Sequence, residues 1–382
     1  MNPLHGLHEA ADATYLPYGP ADTAVQVVDT FGYYELEYAA IRRRVGVLDM
    51  PQRGVVELRG SDRLLVLHNL LTNEMKSLQP GQARRAFLLN QKGRIVADMV
   101  VLHEAHRTVL VLDVFQAAQV AGEIDRLIFT EDVQVADVSN TLHVLALHGP
   151  GGQAALAELA GTAAGAFADW PNMTHRTLAL AEGQVTVYRR DETGTPGLHL
   201  LAPADKVAAI YQRLMAVLHY DPKQEQDAAV TSQRRGRPVG WLAYNTARIE
   251  AGTPIFRIDF GTDSLPAETG VLHDAVCFTK GCYLGQEVVA RMQYLGHPKR
   301  VLVGLRFADD RMPVAGTPVR AAKADEVVGA VTSSTVSPIL GNLAIAFAVM
   351  KWGSHEPGTQ VIVPAEGQNV TGTVQGLKFV EG

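Results

Sequence analysis

A chain of 382 residues exceeds what one hydrophobic core usually serves, so two or three domains are expected. Its 47% hydrophobic and 19% charged residues are the balance of a soluble globular protein, and a net charge of −6 argues against direct nucleic-acid binding, which needs a basic face. The best apolar run, LAIAFAVM at 343–350, falls well short of the roughly 20 residues of a membrane span and reads as a buried strand.

The N-terminal stretch MNPLHGLHEAADATYLPYG carries Glu9 and Asp12 and has no apolar core, so it does not read as a signal peptide. Residues 33–47, YYELEYAAIRRRVGV, predict a helix with Gly46 near its end. VVELRG (55–60) alternates as a strand, and SDRLLVLHNLL follows as a helix with Ser61 as N-cap and Asp62 in its first turn. Strands are expected at 86–90, 95–103 and 108–114, a helix at 116–128, and strands again at VQVADVS and 142–149. GGQAALAELAG is a short helix closed by Gly161, and 204–218 is another. DPKQEQDAAVTSQRRGRP (221–238) reads as a connection. Beyond residue 300, short β-rich pieces punctuated by Gly and Pro suit a small all-β barrel. Hairpin-length links favour α+β over a doubly wound parallel sheet. The arginine runs Arg42-Arg43-Arg44, Arg84-Arg85, Arg189-Arg190 and Arg234-Arg235 with Arg237 read as solvated, although several together could hold a polyanionic tail.

Two cysteines, Cys277 and Cys282, cannot build a secreted disulfide framework, and a reducing, cytoplasmic setting is the default expectation. Cys282 lies in KGCYLGQE (280–287). From Gly285 the chain predicts a helix of about three turns, with Val288, Met292 and Leu295 as its apolar stripe, Glu287 in the first turn and Gly296 as C′. A thiol just before a helix and beside Lys280 is a candidate for a lowered pKa, and Gly281 and Gly285 leave room for a ligand. The plain alternative is a small buried hydrophobe. Cys277, in VLHDAVCF, reads as part of a buried strand. A metal site from the two cysteines with His273 and His297 matches no standard zinc spacing, so no metal is expected.

KGCYLGQEVVAR resembles the signature of the YgfZ family, K-G-C-Y-x-G-Q-E-x3-(K or R), through Lys280, Gly281, Cys282, Tyr283, Gly285, Gln286, Glu287 and Arg291. Blocks elsewhere are similar to the glycine cleavage T-protein (aminomethyltransferase) superfamily to which YgfZ is related: LDMPQRGVVELRGSDRLLVLHNLLTNEMKSLQPGQ, LNQKGRIVADMVV, LHGP, ARIEAGTPIF and LPAETG. The resemblance implies an α+β, three-domain cloverleaf, with ferredoxin-like domains around a central hole and a C-terminal β-barrel. It divides the chain into 1–299, with interleaved domains at about 55–135 and about 1–54 plus 136–240, and the barrel at 300–382. It implies tetrahydrofolate or a one-carbon derivative as ligand. It also implies a role in assembly or repair of iron–sulfur proteins, including a tRNA-modifying enzyme, with Cys282 carrying function and Lys280 beside it.

Candidate folate contacts are Asp98, Asn73, His199, Tyr244, Arg248, Tyr283, Gln286, Glu287 and Arg291. Several depart from the transferase pattern. His199 stands where the stretch like T-G-E-D-G-F-E has its pterin-reading glutamate, Ala97-Asp98 replaces two acids, and Tyr244-Asn245 replaces an Arg-Asp pair. A carboxylate accepts two hydrogen bonds where a neutral imidazole accepts one. Transferase turnover is therefore less expected than folate binding. For Asn73 the alternative is a cap, and for Arg248 a structural salt bridge with its helix-end neighbour Glu250 also seeking a partner. The readings left open are a YgfZ-type folate protein, a folate-dependent aminomethyltransferase, and a folate-sensing scaffold without chemistry.

Overall fold

The computed structural model describes residues 2–224 and 233–381, and its chain divides into two compact units. The first comprises residues 1–63, 78–84 and 100–247; the second comprises 64–77, 85–99 and 248–382. Among the described residues no helix is long and apolar enough to cross a membrane.

The first unit is built on a six-stranded sheet. Its order is His175–Leu180, Gly183–Arg189, Gly197–Pro203, Leu142–His148, Gly46–Asp49 and Arg237–Val239. All neighbours are antiparallel except the last pair, which is parallel. Helices Gly152–Leu159 and Val207–Val217 supply Leu156, Ile210 and Leu214 to a core that also holds Leu145, Leu147, Leu198, Leu200 and Trp170. A second ladder joins Arg53–Arg59 to Thr108–Asp113 on one side and Gln134–Asp137 on the other. Helix Val114–Asp125 follows directly, its first turn capped by Asp113, whose carboxylate accepts from the Phe115 amide at 2.9 Å.

The second unit ends in a closed barrel of six strands. Around it run Arg300–Phe307, Leu343–Lys351, Val327–Ser337, Pro318–Ala321, Gln360–Ala365 and Gln368–Gln375. The inward positions, among them Leu305, Phe307, Val331, Ala346, Ala348 and Val363, fill its interior. Another cluster gathers Phe87, Leu89 and Ile95 with Phe256, Phe260, Val271, Ala275, Val276, Tyr283 and Val289.

Several sequence expectations need correction. The helix expected at 33–47 spans Tyr34–Arg43, and Gly46 opens a strand instead of closing the helix. Ser61 does not cap the next helix, which begins at Arg63; its amide and hydroxyl bond the Asp132 carboxylate at 2.9 and 3.0 Å. Cys277 lies in no strand: Leu272–Ala275 is a short helix and Cys277 follows it, half-buried, because a short apolar run fits either period. In helix Gln286–Tyr294 the buried position is Val289, while Leu295 is 84% exposed, so the stripe through Val288, Met292 and Leu295 is not the packed face. The arginine runs are not uniformly solvated either: Arg85, Arg234 and Arg237 are buried. Of the 221–238 connection, 225–232 lies outside the described residues.

Candidate functional site

The KGCYLGQE segment is held from several directions within the second unit. Lys280 is buried, and its ammonium donates to the carbonyls of His68, of Leu71 at 2.6 Å and of Asn73 at 3.2 Å. His68 lies in the last turn of the helix Arg63–Leu70 and Leu71 follows it, so the cation caps the negative end of that helix. Burial pushes the ammonium down to about 8, and its Nζ stands 4.9 Å from the centroid of the Tyr283 ring. Its three N–H donors are thus taken by carbonyls. These bonds anchor the segment to the helix end.

Tyr283 sits in the core cluster, where burial pushes its hydroxyl up to about 12. Gln286 accepts from the Tyr283 amide at 3.2 Å and closes the turn. Gly285 adopts φ +79°, and a Cβ there would lie 2.7 Å from the Asn90 carbonyl oxygen. Glycine is therefore required where the 90–93 turn packs on the helix start. Glu287 and Arg291 are exposed, and so is Cys282. The Cys277 thiol lies 3.4 Å from the Thr279 hydroxyl; burial works upward on it, but hydrogen bonds from Thr279 and the Lys280 amide hold it below its ordinary value.

Asp98 and Asn73 belong to the same unit. Arg85 grips Asp98 through both carboxylate oxygens, at 2.9 and 2.6 Å. The Asn73 amide donates to the carbonyls of Arg85 (2.9 Å) and Asp274 (3.1 Å) and its oxygen accepts from the Glu74 amide at 2.8 Å, so it braces a turn. Arg248 is fully buried against Asp259, at 2.7 Å. Asp259 also accepts from the Ile255 amide at 2.8 Å, Thr332 at 3.0 Å and Ser333 at 2.5 Å. Arg248 is therefore held in a buried ion pair. Glu250 finds the partner it needs in the Ser337 hydroxyl.

His199 and Tyr244 come together in the first unit, around a residue that sequence reasoning missed. Glu192 is buried, and its Oε2 accepts from the Tyr244 hydroxyl at 2.9 Å and lies 3.6 Å from His199 Nε2. Arg190 Nε stands 3.1 Å from Oε1 and Arg53 3.9 Å. Burial works upward on this carboxyl, but Arg190, His199 and Arg53 together hold it well below the carboxylate range. His199 stacks on Tyr188 with centroids 4.7 Å apart and meets His148 edge-on at 5.6 Å. Burial pushes His148 down to about 4 and His199 down to about 3, so both are neutral near pH 7. Gly197 permits the packing: a Cβ there would lie 2.2 Å from the Arg190 carbonyl and 3.1 Å from His148 Nδ1. The signal available in the sequence was an acid adjoining a stretch that had lost one.

Structure comparison fits the described architecture. The crystal structure of aminomethyltransferase T of the glycine cleavage system from Bartonella henselae superposes with a TM-score of 0.84 over 99% of this chain and 97% of that one, at 24% identity. A mixed α+β body followed by a closed six-stranded barrel thus defines a protein with the aminomethyltransferase fold. The chain belongs to the glycine cleavage T-protein family: residues 4–280 match the GCVT N-terminal domain and 300–381 the glycine cleavage T-protein C-terminal barrel domain. Among relatives, it is 29% identical to the aminomethyltransferase of Synechococcus elongatus, covering 100% of this chain and 96% of that protein. It is 27% identical to that of Geobacillus kaustophilus, covering 99% and 97%.

Proposed function

We propose that this chain is a tetrahydrofolate-using protein of the aminomethyltransferase type. The full-length match to the two T-protein domains carries the reading. The residues fit a reduced folate at Asp98, whose half-buried carboxylate is oriented by Arg85 through two hydrogen bonds. A carboxylate is a group that can accept from a pterin amide and amino group. Titration calorimetry with 5-formyl- or 5,10-methylene-tetrahydrofolate tests it. Binding weakened in Asp98→Asn supports the reading, and no heat at millimolar folate with the chain folded overturns it.

A second reading is favoured by one observation: Cys282 is exposed in a loop whose neighbours Lys280 and Tyr283 are buried anchors. On this reading the chain acts in the YgfZ manner, binding folate and supporting assembly or repair of iron–sulfur enzymes, tRNA modification among their activities. Glycine-cleavage turnover with lipoylated carrier protein decides between the two. Turnover like that of an authentic T-protein favours transfer. Its absence, with Cys282→Ser failing to restore iron–sulfur enzymes in cells lacking the protein, favours the thiol.

A further inference from the structure

His148, Glu192 and His199 offer one donor atom each, and these atoms lie within 4.8 Å of one another. All three side chains are buried, with the two imidazoles 0% and 1% exposed. Among the described residues, neither ring nitrogen of His148 nor of His199 has a hydrogen-bond partner. Four orphaned polar atoms in one buried cluster are costly, since each forfeits its bond to water without replacement. A ligand that accepts one nitrogen lone pair from each ring would satisfy two of the four.

We propose that His148, His199 and Glu192 form a mononuclear site for a divalent transition-metal ion of the zinc type. Two imidazoles and one carboxylate are a donor set that zinc uses with three protein ligands, leaving a fourth position for water or substrate. Bonds of about 2.1 Å in a tetrahedron put donors about 3.4 Å apart. The His199 Nε2 to Glu192 Oε2 separation of 3.6 Å is already near that value. Arg190 and Arg53 lie on the side of Oε1, which leaves Oε2 as the ligating oxygen. Tyr244, donating to that same oxygen, is the outer-shell group that orients the carboxylate. No thiolate enters the set, so the site selects borderline ions such as Zn(II) and Co(II) over those that need sulfur. The sequence offers no spaced motif for this site because its ligands come from the strands ending at His148 and starting at Gly197 and from the turn at Glu192.

The site needs no folate, and it is tested without folate. The full-length, tag-free chain is stripped with EDTA and titrated with Co(II). The expected result is a visible ligand-field spectrum that saturates at one ion per chain, lacks thiolate charge-transfer absorption and is displaced by Zn(II). His148→Gln, His199→Gln and Glu192→Gln should each weaken binding by about 100-fold or more, while Cys282→Ser leaves it unchanged. The wild-type spectrum stands even if a variant misfolds, and near-ultraviolet circular dichroism checks each variant's fold. No saturable spectrum, a thiolate band, or binding that survives in a folded His148→Gln/His199→Gln chain overturns the proposal and leaves ordered water as the partner of these rings.

Discussion

Replacing Lys280 by Met keeps the aliphatic stem and removes only the ammonium. Three carbonyls, those of His68, Leu71 and Asn73, then lose their common donor. Each hydrogen bond to a charged group contributes about 1.5–3 kcal/mol, and a carbonyl left unsatisfied costs about 1–3 kcal/mol. Water reaching part of the site lowers the sum, and about 3 kcal/mol is a fair net loss. The loss should be local to the stitched segment. There the Cys277 amide donates to the Thr72 carbonyl at 3.0 Å, and the Thr72 hydroxyl donates to the Ala275 carbonyl at 2.6 Å. Native-state hydrogen exchange reads this directly. The Cys277 amide should exchange roughly 150-fold faster in Lys280→Met, the equivalent of about 3 kcal/mol. The amides of barrel strand Leu343–Lys351 should be unchanged. Less than fivefold acceleration at Cys277 would refute the capping role and return Lys280 to the thiol.

Asp259→Ala should destabilise the second unit by about 3–5 kcal/mol in urea unfolding, because it removes the carboxylate paired with the fully buried Arg248. Asp49 accepts from His8 at 2.9 Å and His143 at 2.5 Å; burial works upward on it, but these imidazoles hold it well below its ordinary value of 3.8. Its folded pKa is the lower one, so its contribution is present above pH 3.8 and is lost as pH falls below that value. Asp49→Asn should flatten the acid limb of stability against pH in that window, and an unchanged limb would contradict the pairing. Iodoacetamide should label exposed Cys282 ahead of half-buried Cys277, as peptide mass spectrometry after brief exposure would show. Equal rates would mean that Cys282 is shielded in solution.

The barrel was legible because alternation in short strands is a local signal, and 343–351 and 360–375 pair much as their patterns require. The strand at Ile95–His103 was legible as a short apolar run. What failed depends on distant chain. Lys280 reads as a cation near a thiol until the carbonyls at 68–73 are brought to it. Helix Gln286–Tyr294 shows two apolar stripes, and only the cluster around Phe260 and Tyr283 decides that Val289 is the buried one. Glu192 was passed over because a lone acid beside Asp191 looks like a solvated turn. Its burial follows from Arg190, Arg53 and Tyr244 meeting it from three separate segments.

The signature segment can be taken apart residue by residue. Lys280 holds a helix end, Tyr283 fills a core, Gln286 closes the turn, and Gly285 admits the Asn90 carbonyl. Each of these is a packing duty that restricts the residue type by shape or by hydrogen bonding. Cys282, between them, is exposed. A free thiol on a surface is a liability to oxidation, so fold stability gives no reason for cysteine at this point. The four anchored neighbours fix the backbone on both sides of it, which is the arrangement a reactive group requires to be held in place. The packing of the loop is accounted for by these neighbours, and the role of the thiol rests on the proposed YgfZ-type reading. That is why Cys282→Ser, rather than any change at Lys280 or Tyr283, separates function from fold in this segment.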